Sequence, residues 1–294
     1  MQPQCIAATG DLCGEAARWS AEENCLYWTD INRFLLHRLD YSDRSVRTFF
    51  FDEPVVALSL TTTIGTLLVA LGSEIVLFTP QTGERTSLNI TLPDSPQVRF
   101  NDGRTDPNGV FWIGSMGNNV GPKGEPAPVA DGLGKLFRFR SGGTLEEIEA
   151  GIGIANTLAW SPDRSRFYFG DTLKNEIRAY PFDAQTSELG EPTPHFADYE
   201  RGAPDGSAID SEGYLWNARW GGNCLVRISP DGAIDRVVEM PVANITTACF
   251  GGPERRTLFV TTAAVDRGPA DQLAGCVFQI ATDVAGMPEN KFAL

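Results

Sequence analysis

The sequence predicts an all-β chain folded as a six-bladed β-propeller. Three observations point there. Short apolar runs recur about every ten residues, with Gly, Asp, Pro and Ser turns between them, the pattern of successive strands. Six longer segments repeat one layout, strand–turn–strand–turn–strand, at a period of roughly 40 to 55 residues, which with about four strands per unit marks a propeller. Helix-period patterning is scarce, and the 30 glycines and 19 prolines are scattered rather than gathered into a linker. The whole chain, 1–294, is therefore expected to form one domain. The N-terminal strand around Cys5 to Ala8 is expected to complete the last blade and close the ring.

In chain order, the middle strands are expected at 25–30, 66–71, 110–115, 166–171, 214–219 and 257–262. Most carry aromatic residues, as in Cys25-Leu-Tyr-Trp-Thr-Asp30 and Val110-Phe-Trp-Ile-Gly-Ser115. A second apolar run follows each one, at 34–39, 74–78, 135–139, 176–180, 224–228 and 275–280. A Ser, Thr, Asp or Gly turn precedes each middle strand and fixes the register. Five residues before the turn residue stand Glu15, Val56, Asn101, Asn156, Asp205 and Thr246. Each is expected to open the first strand of its blade, the strand that lines the central channel. Six residues far apart in sequence thus form a ring at one channel mouth.

Composition narrows the function. A formal charge of −14 repels phosphates, so nucleic acid is not an expected partner. No apolar run reaches the ~20 residues of a membrane helix, so no membrane partner is expected. The N-terminus lacks a basic region followed by an apolar stretch, so no secretory signal is expected. Six cysteines without C-x-x-C spacing read as reduced, mostly buried thiols of a cytoplasmic protein. Only His37 and His195 are available to a Ser-His-Asp site, and there is no G-x-S-x-G elbow to pair with them.

Taken singly, Asn101-Asp-Gly and Pro204-Asp-Gly read as turn sequences. At one structural level they mean more. Glu15, Asn101, Asn156 and Asp205 around a narrow channel repel or stay unpaired unless something binds them. Such an oxygen-rich set suits one divalent cation: Ca²⁺, Mg²⁺, Mn²⁺, Fe²⁺ or Zn²⁺. Asp30, Asp171 and Arg219 end middle strands at the same face and are expected either to orient the site or to act as ordinary caps and ion-pair partners. The stretch between Gly117 and Gly134 is the longest non-periodic insertion, expected on the site face as a lid or a plain surface loop.

These residues resemble the gluconolactonase / senescence marker protein (regucalcin) family. The likeness rests on Arg99-Phe-Asn-Asp-Gly-Arg with Asp106-Pro, on Asn156 followed by Leu-Ala-Trp-Ser, on Pro204-Asp-Gly-Ser-Ala-Ile-Asp with Glu212-Gly-Tyr-Leu-Trp, and on Thr246-Thr-Ala-Cys-Phe-Gly-Gly. The resemblance implies a divalent metal on Glu15, Asn156 and Asp205, and substrate contacts from Arg99 and Asn101. It departs at Gly14-Glu-Ala-Ala-Arg-Trp19, where the family usually reads Gly-Glu-Gly-Pro. It departs again at Asn118 and Asn119, where some sugar-lactone members carry a glutamate; Asn119 is taken as a substrate contact. The implied activity is metal-dependent hydrolysis of a sugar aldonolactone, with Asp205 both metal-bound and the base, by a monomer or weak oligomer. Phosphotriester hydrolysis on the same metal, or a calcium-binding propeller without turnover, are the alternatives. A structural metal site is closed by protein ligands; a catalytic one keeps open positions.

Overall fold

The strand that leads each sheet has almost no solvent face. Gly14–Ser20, Val55–Leu60, Val98–Thr105, Ala155–Trp160, Ala203–Ile209 and Ile245–Gly251 are buried along nearly their whole length. Strands buried on both faces belong at the centre of a fold. These six pack side by side in sequence order and return from the last to the first, so they form a closed ring. The structure, a computed structural model, describes residues 1–268 and 270–294.

Each inner strand starts a four-stranded antiparallel sheet, and there are six such sheets, the blades of a β-propeller. Five run in simple sequence order from the channel outward. In the sixth blade the outermost strand is Gln4–Ala7, which pairs with Val277–Ala281. Among the described residues the helical content is one 3-10 turn, Pro253–Arg255. Outer strands such as Val46–Phe50 and Glu84–Thr91 are largely exposed, with charged residues along an edge that would otherwise invite pairing. Aromatic contacts join neighbouring blades: Trp19 stacks on Phe259 at 5.3 Å, and Trp112 meets Phe167 at 5.3 Å.

The turns before the middle strands use one device twice. Asp106 Oδ1 accepts the N–H groups of Asn108 (2.8 Å) and Val110 (3.0 Å), while Oδ2 accepts the Trp112 indole N–H at 3.0 Å. Asp210 does the same for Glu212, Tyr214 and Trp216. Gly109 and Gly213 supply the left-handed residue that completes each turn, with φ of 80° and 85°. The buried aspartate therefore fixes both the turn and the tryptophan that packs the next interface.

All six inner strands carry a register break close to the residue singled out from the sequence. The pairing skips between Glu15 and Arg18, Val55 and Ala57, Phe100 and Gly103, Asn156 and Ala159, Pro204 and Ser207, and Ile245 and Ala248. A β-bulge releases side chains from strict alternation and re-aims them. Glu15, Val56, Asn156 and Thr246 are second in their strands, but Asp205 is third and Asn101 fourth. Blade three starts earlier because its middle strand runs on to Gly117 and gives Val98, Arg99 and Phe100 pairing partners.

Asp106→Ala is expected to orphan three donors, one of them a buried indole, and to lower stability by about 3 kcal/mol. Urea denaturation checks this, with the midpoint shifted and the m-value retained.

Candidate metal-binding and substrate-binding site

Glu15 and Asp205 lie in the first and fifth blades, with the sixth between them, and their carboxyl groups come within hydrogen-bonding reach of each other. They are 8% and 6% exposed. The Glu15 carboxylate also accepts the N–H of Ala16 at 2.9 Å, and Ala16 adopts a φ of 53° in the bulge that turns Glu15 inward. Asn156 and Asn101 meet across the third and fourth blades: Asn101 Nδ2 donates to Asn156 Oδ1 at 3.2 Å and to Ala155 O at 2.9 Å. Thr246 is tied to the first blade through its hydroxyl, which donates to Gly14 O. Val56 is buried and offers no ligand atom.

Arg99 binds the amide side of the site. Its Nη1 donates to Asn101 Oδ1 at 2.7 Å, while Nε and Nη2 donate to Asn119 Oδ1 at 3.0 and 2.8 Å. The sequence-selected Glu15, Asn101, Asn156, Asp205, Arg99 and Asn119 thus converge on one channel mouth.

The electrostatics are unfavourable as they stand. Burial first, and then the Asp102 carboxylate, hold Glu15 above the usual carboxylate range. Burial, then Glu15 and Asp102, hold Asp205 well above it. Burial pulls Arg99 down to about 10, against the opposing pull of Cys13, Glu15 and Asp205. Two desolvated carboxylates facing one another are the environment in which a divalent cation replaces a proton. The residues fit such an ion: two carboxylates and the Asn156 amide oxygen are hard donors. Among the described residues, no group of three or more His, Cys, Asp or Glu is placed to hold a metal, and the Asn156 amide is the further oxygen donor beside the two carboxylates.

Asp30, Asp171 and Arg219 fasten the approach to the site. Asp30 accepts Leu12 N at 2.9 Å and Cys13 N at 3.1 Å, the two residues that lead into Gly14 and Glu15. Asp171 accepts Gly153 N at 2.9 Å and Ile154 N at 3.2 Å, just before Asn156. Arg219 donates to Arg201 O at 3.1 Å and to Gly202 O, just before Asp205. Each is wholly buried and satisfies the backbone of the chain entering an inner strand.

The 117–134 insertion lies on this face. Asn119 in it receives Arg99, and Gly124 O accepts Asn32 Nδ2 of the first blade at 2.8 Å. Its φ of 83° suits glycine, and an added Cβ would collide with the Asn32 carbonyl. His37 is elsewhere in the first blade, stacked on Trp28 and hydrogen-bonded to Thr48 at 2.9 Å. All six cysteines are free; Cys5 is exposed, Cys13 half-buried and the others buried.

Three site neighbours escaped the sequence reading. Strict alternation would send Asp102 away from the face of Asn101, but the bulge brings both inward. Cys13 stands two residues before Glu15, so the same alternation puts its thiol on the site side, near Glu15 and Asp205. Thr172 bridges two blades: its hydroxyl accepts Asn156 Nδ2 at 2.8 Å and donates to Pro204 O at 2.7 Å. The Asp171-Thr172 pair at a middle-strand end was the available signal.

The fold and site define a six-bladed propeller with a carboxylate–amide centre at one channel mouth. The chain belongs to the SMP-30/gluconolactonase/LRE-like family, whose pattern matches residues 13–264. It is 35% identical to the 6-deoxy-6-sulfogluconolactonase of Pseudomonas putida, over 99% of this chain and 98% of that protein. It is 33% identical to a pentonolactonase of Haloferax volcanii, over 97% and 96%. Among solved structures, a calcium-binding protein, regucalcin, from Agrobacterium tumefaciens superposes with a TM-score of 0.92 at 28% identity, covering 100% of this chain and 98% of that one.

Thr172→Val is expected to cost about 1 kcal/mol of stability through the lost hydrogen bonds. It is also expected to weaken divalent-cation binding by about tenfold, because Asn156 loses its brace. Calorimetric titration of Mn²⁺ into both proteins checks the second effect separately from the first.

Proposed function

We propose that the protein is a lactonase that opens a sugar aldonolactone to the aldonic acid, using one divalent cation held by Glu15, Asn156 and Asp205. The observation that carries the reading is the pair of buried carboxylates, Glu15 and Asp205, set against Arg99 and Asn101 at a channel mouth. Relatives named for sulfogluconolactone and pentonolactone substrates support it across nearly the full chain length. The reading takes all 294 residues as one catalytic unit, a monomer or weak oligomer of the cytoplasm.

A bound cation supplies Lewis-acid stabilisation of the charge that builds on the carbonyl oxygen. Arg99 and Asn101 bind ring hydroxyls of the sugar and fix the carbonyl carbon in place, with Asn119 holding the guanidinium in its plane. Water attacks that carbon as an Asp205 carboxylate oxygen takes its proton. The ring C–O bond then breaks and the proton passes to the departing ring oxygen, leaving the open hydroxy acid. The carboxylates of Glu15, Asp102 and Asp205 repel the aldonate anion and speed its release. The loop holding Asn119 ties Arg99 to the first blade through the Asn32–Gly124 hydrogen bond. Phosphotriester hydrolysis on the same centre is the alternative chemistry. A cation-binding role without turnover is a second reading, favoured by the regucalcin likeness.

Asp205→Asn keeps the size and one ligand oxygen but removes the charge and the base. With excess metal, turnover of aldonolactones is expected to fall by more than ~10²–10⁴-fold, the usual cost of losing a general base alone. Near wild-type turnover in the metal-saturated variant would leave Asp205 a ligand only. No hydrolysis of any aldonolactone or phosphotriester by the metal-replete wild type would favour the binding-protein reading.

A further inference from the structure

The channel has a second mouth, at the far ends of the inner strands, and the C-terminal segment crosses it. Residues 282–294 are laced to four blades by hydrogen bonds: Gly286 N to Arg255 O, Met287 N to Ile209 O, Asn290 Nδ2 to Thr105 O, and Phe292 N to Leu60 O. Beneath this strap is a cavity of ≈110 Å³, lined by Arg104, Trp160, Phe250 and Glu289, with the exposed Arg164 at its rim. That volume holds three or four waters at ~30 Å³ each, or one small anion.

The chemistry of the lining is one-sided. Arg104 is 9% exposed, and its Nε and Nη2 have no hydrogen-bond partner. Trp160 is 4% exposed, and its indole N–H is also unpartnered. The three indoles that are wholly buried are all satisfied. Trp28, Trp112 and Trp216 each donate to an aspartate, at 2.8, 3.0 and 2.9 Å. Arg104 is anchored through Nη1, which donates to Ser207 O at 2.7 Å, so the rest of its fork is held in place yet unused. The nearest acidic group, Glu289 on the strap, stands 3.5 Å from Arg104 Nη2 and 4.0 Å from Arg18 Nε, outside charge-assisted hydrogen-bond length. Buried donors left without acceptors are costly, and a preorganised guanidinium fork beside an indole N–H suits a small oxyanion.

We propose that this cavity binds a small oxyanion, an inorganic phosphate or a short carboxylate, on Arg104 and Trp160, with Glu289 of the strap as its competitor. Three cationic side chains, Arg18, Arg104 and Arg164, stand against Asp102 and Glu289, so the added negative charge is balanced. The cavity lies at the other end of the channel from Glu15 and Asp205, with Asp102 between the two, close to Arg18 and in the field of Glu15.

The test titrates sodium phosphate and, separately, sodium acetate into the full-length, metal-replete protein by calorimetry. Saturation by either anion is expected; phosphate alone assigns a phosphate-type ligand and acetate alone a carboxylate. Trp160→Phe is expected to weaken binding about tenfold by removing one donor. Glu289→Gln is expected to tighten it by about the same factor, because the competing charge is gone. That gain is a result a misfolded variant would not give. Lactone KM is expected to stay unchanged in Glu289→Gln. The proposal is overturned if neither anion binds the wild type, or if binding is indifferent to both substitutions, which would put the anion at the other mouth or on the surface.

Discussion

Two carboxylates are forced together in a desolvated channel, and much of the surrounding structure holds them there. Glu15 and Asp205 come from blades that are not neighbours in the ring; burial, with repulsion from Asp102 on Glu15 and from Glu15 and Asp102 on Asp205, pushes both toward the protonated form. A fold that places them so closely spends stability on the arrangement. The supporting contacts are correspondingly dense. Asp30, Asp171 and Arg219 each clamp the backbone leading into an inner strand, and Thr157 and Asn217 both bond the Asp205 carbonyl. A centre braced in this way keeps its geometry whether charge is added or removed.

The bulges make this possible. A regular inner strand would alternate, and half of its side chains would point away from the channel. The break in each strand lets Asn101 and Asp102 both contribute to the polar channel, and lets Ala16 and Thr157 take left-handed backbone values that aim Glu15 and Asn156. The same strands that pack the propeller core therefore also present its polar site, without loops having to supply the carboxylates.

Much of this was legible in the sequence. The repeat of aromatic middle strands gave the blade number, and counting back from the turns reached Glu15, Asn101, Asn156 and Asp205 without any three-dimensional information. The offset is constant because the turn residues, Asp106 and Asp210 among them, are hydrogen-bonded to the strand that follows. Asp102 was missed because period-two reasoning fails at a bulge, and a bulge leaves no composition signal when its residues are Asn and Asp. Thr172 was missed because its importance lies in bridging two blades, a relation between residues 156 and 204 that no local pattern records. Asn101, expected at the start of its strand, lies three residues inside it, because the neighbouring strand extends past the expected end at Ser115 as far as Gly117.

We propose that Glu15, Asn156 and Asp205 hold one divalent cation at the channel mouth. Anomalous diffraction from crystals grown with Mn²⁺ tests it most directly. One strong peak is expected, bonded to oxygens of all three side chains at about 2.0–2.6 Å, the range of hard divalent cations. A peak elsewhere on the molecule, or an empty channel mouth at saturating Mn²⁺, would contradict it.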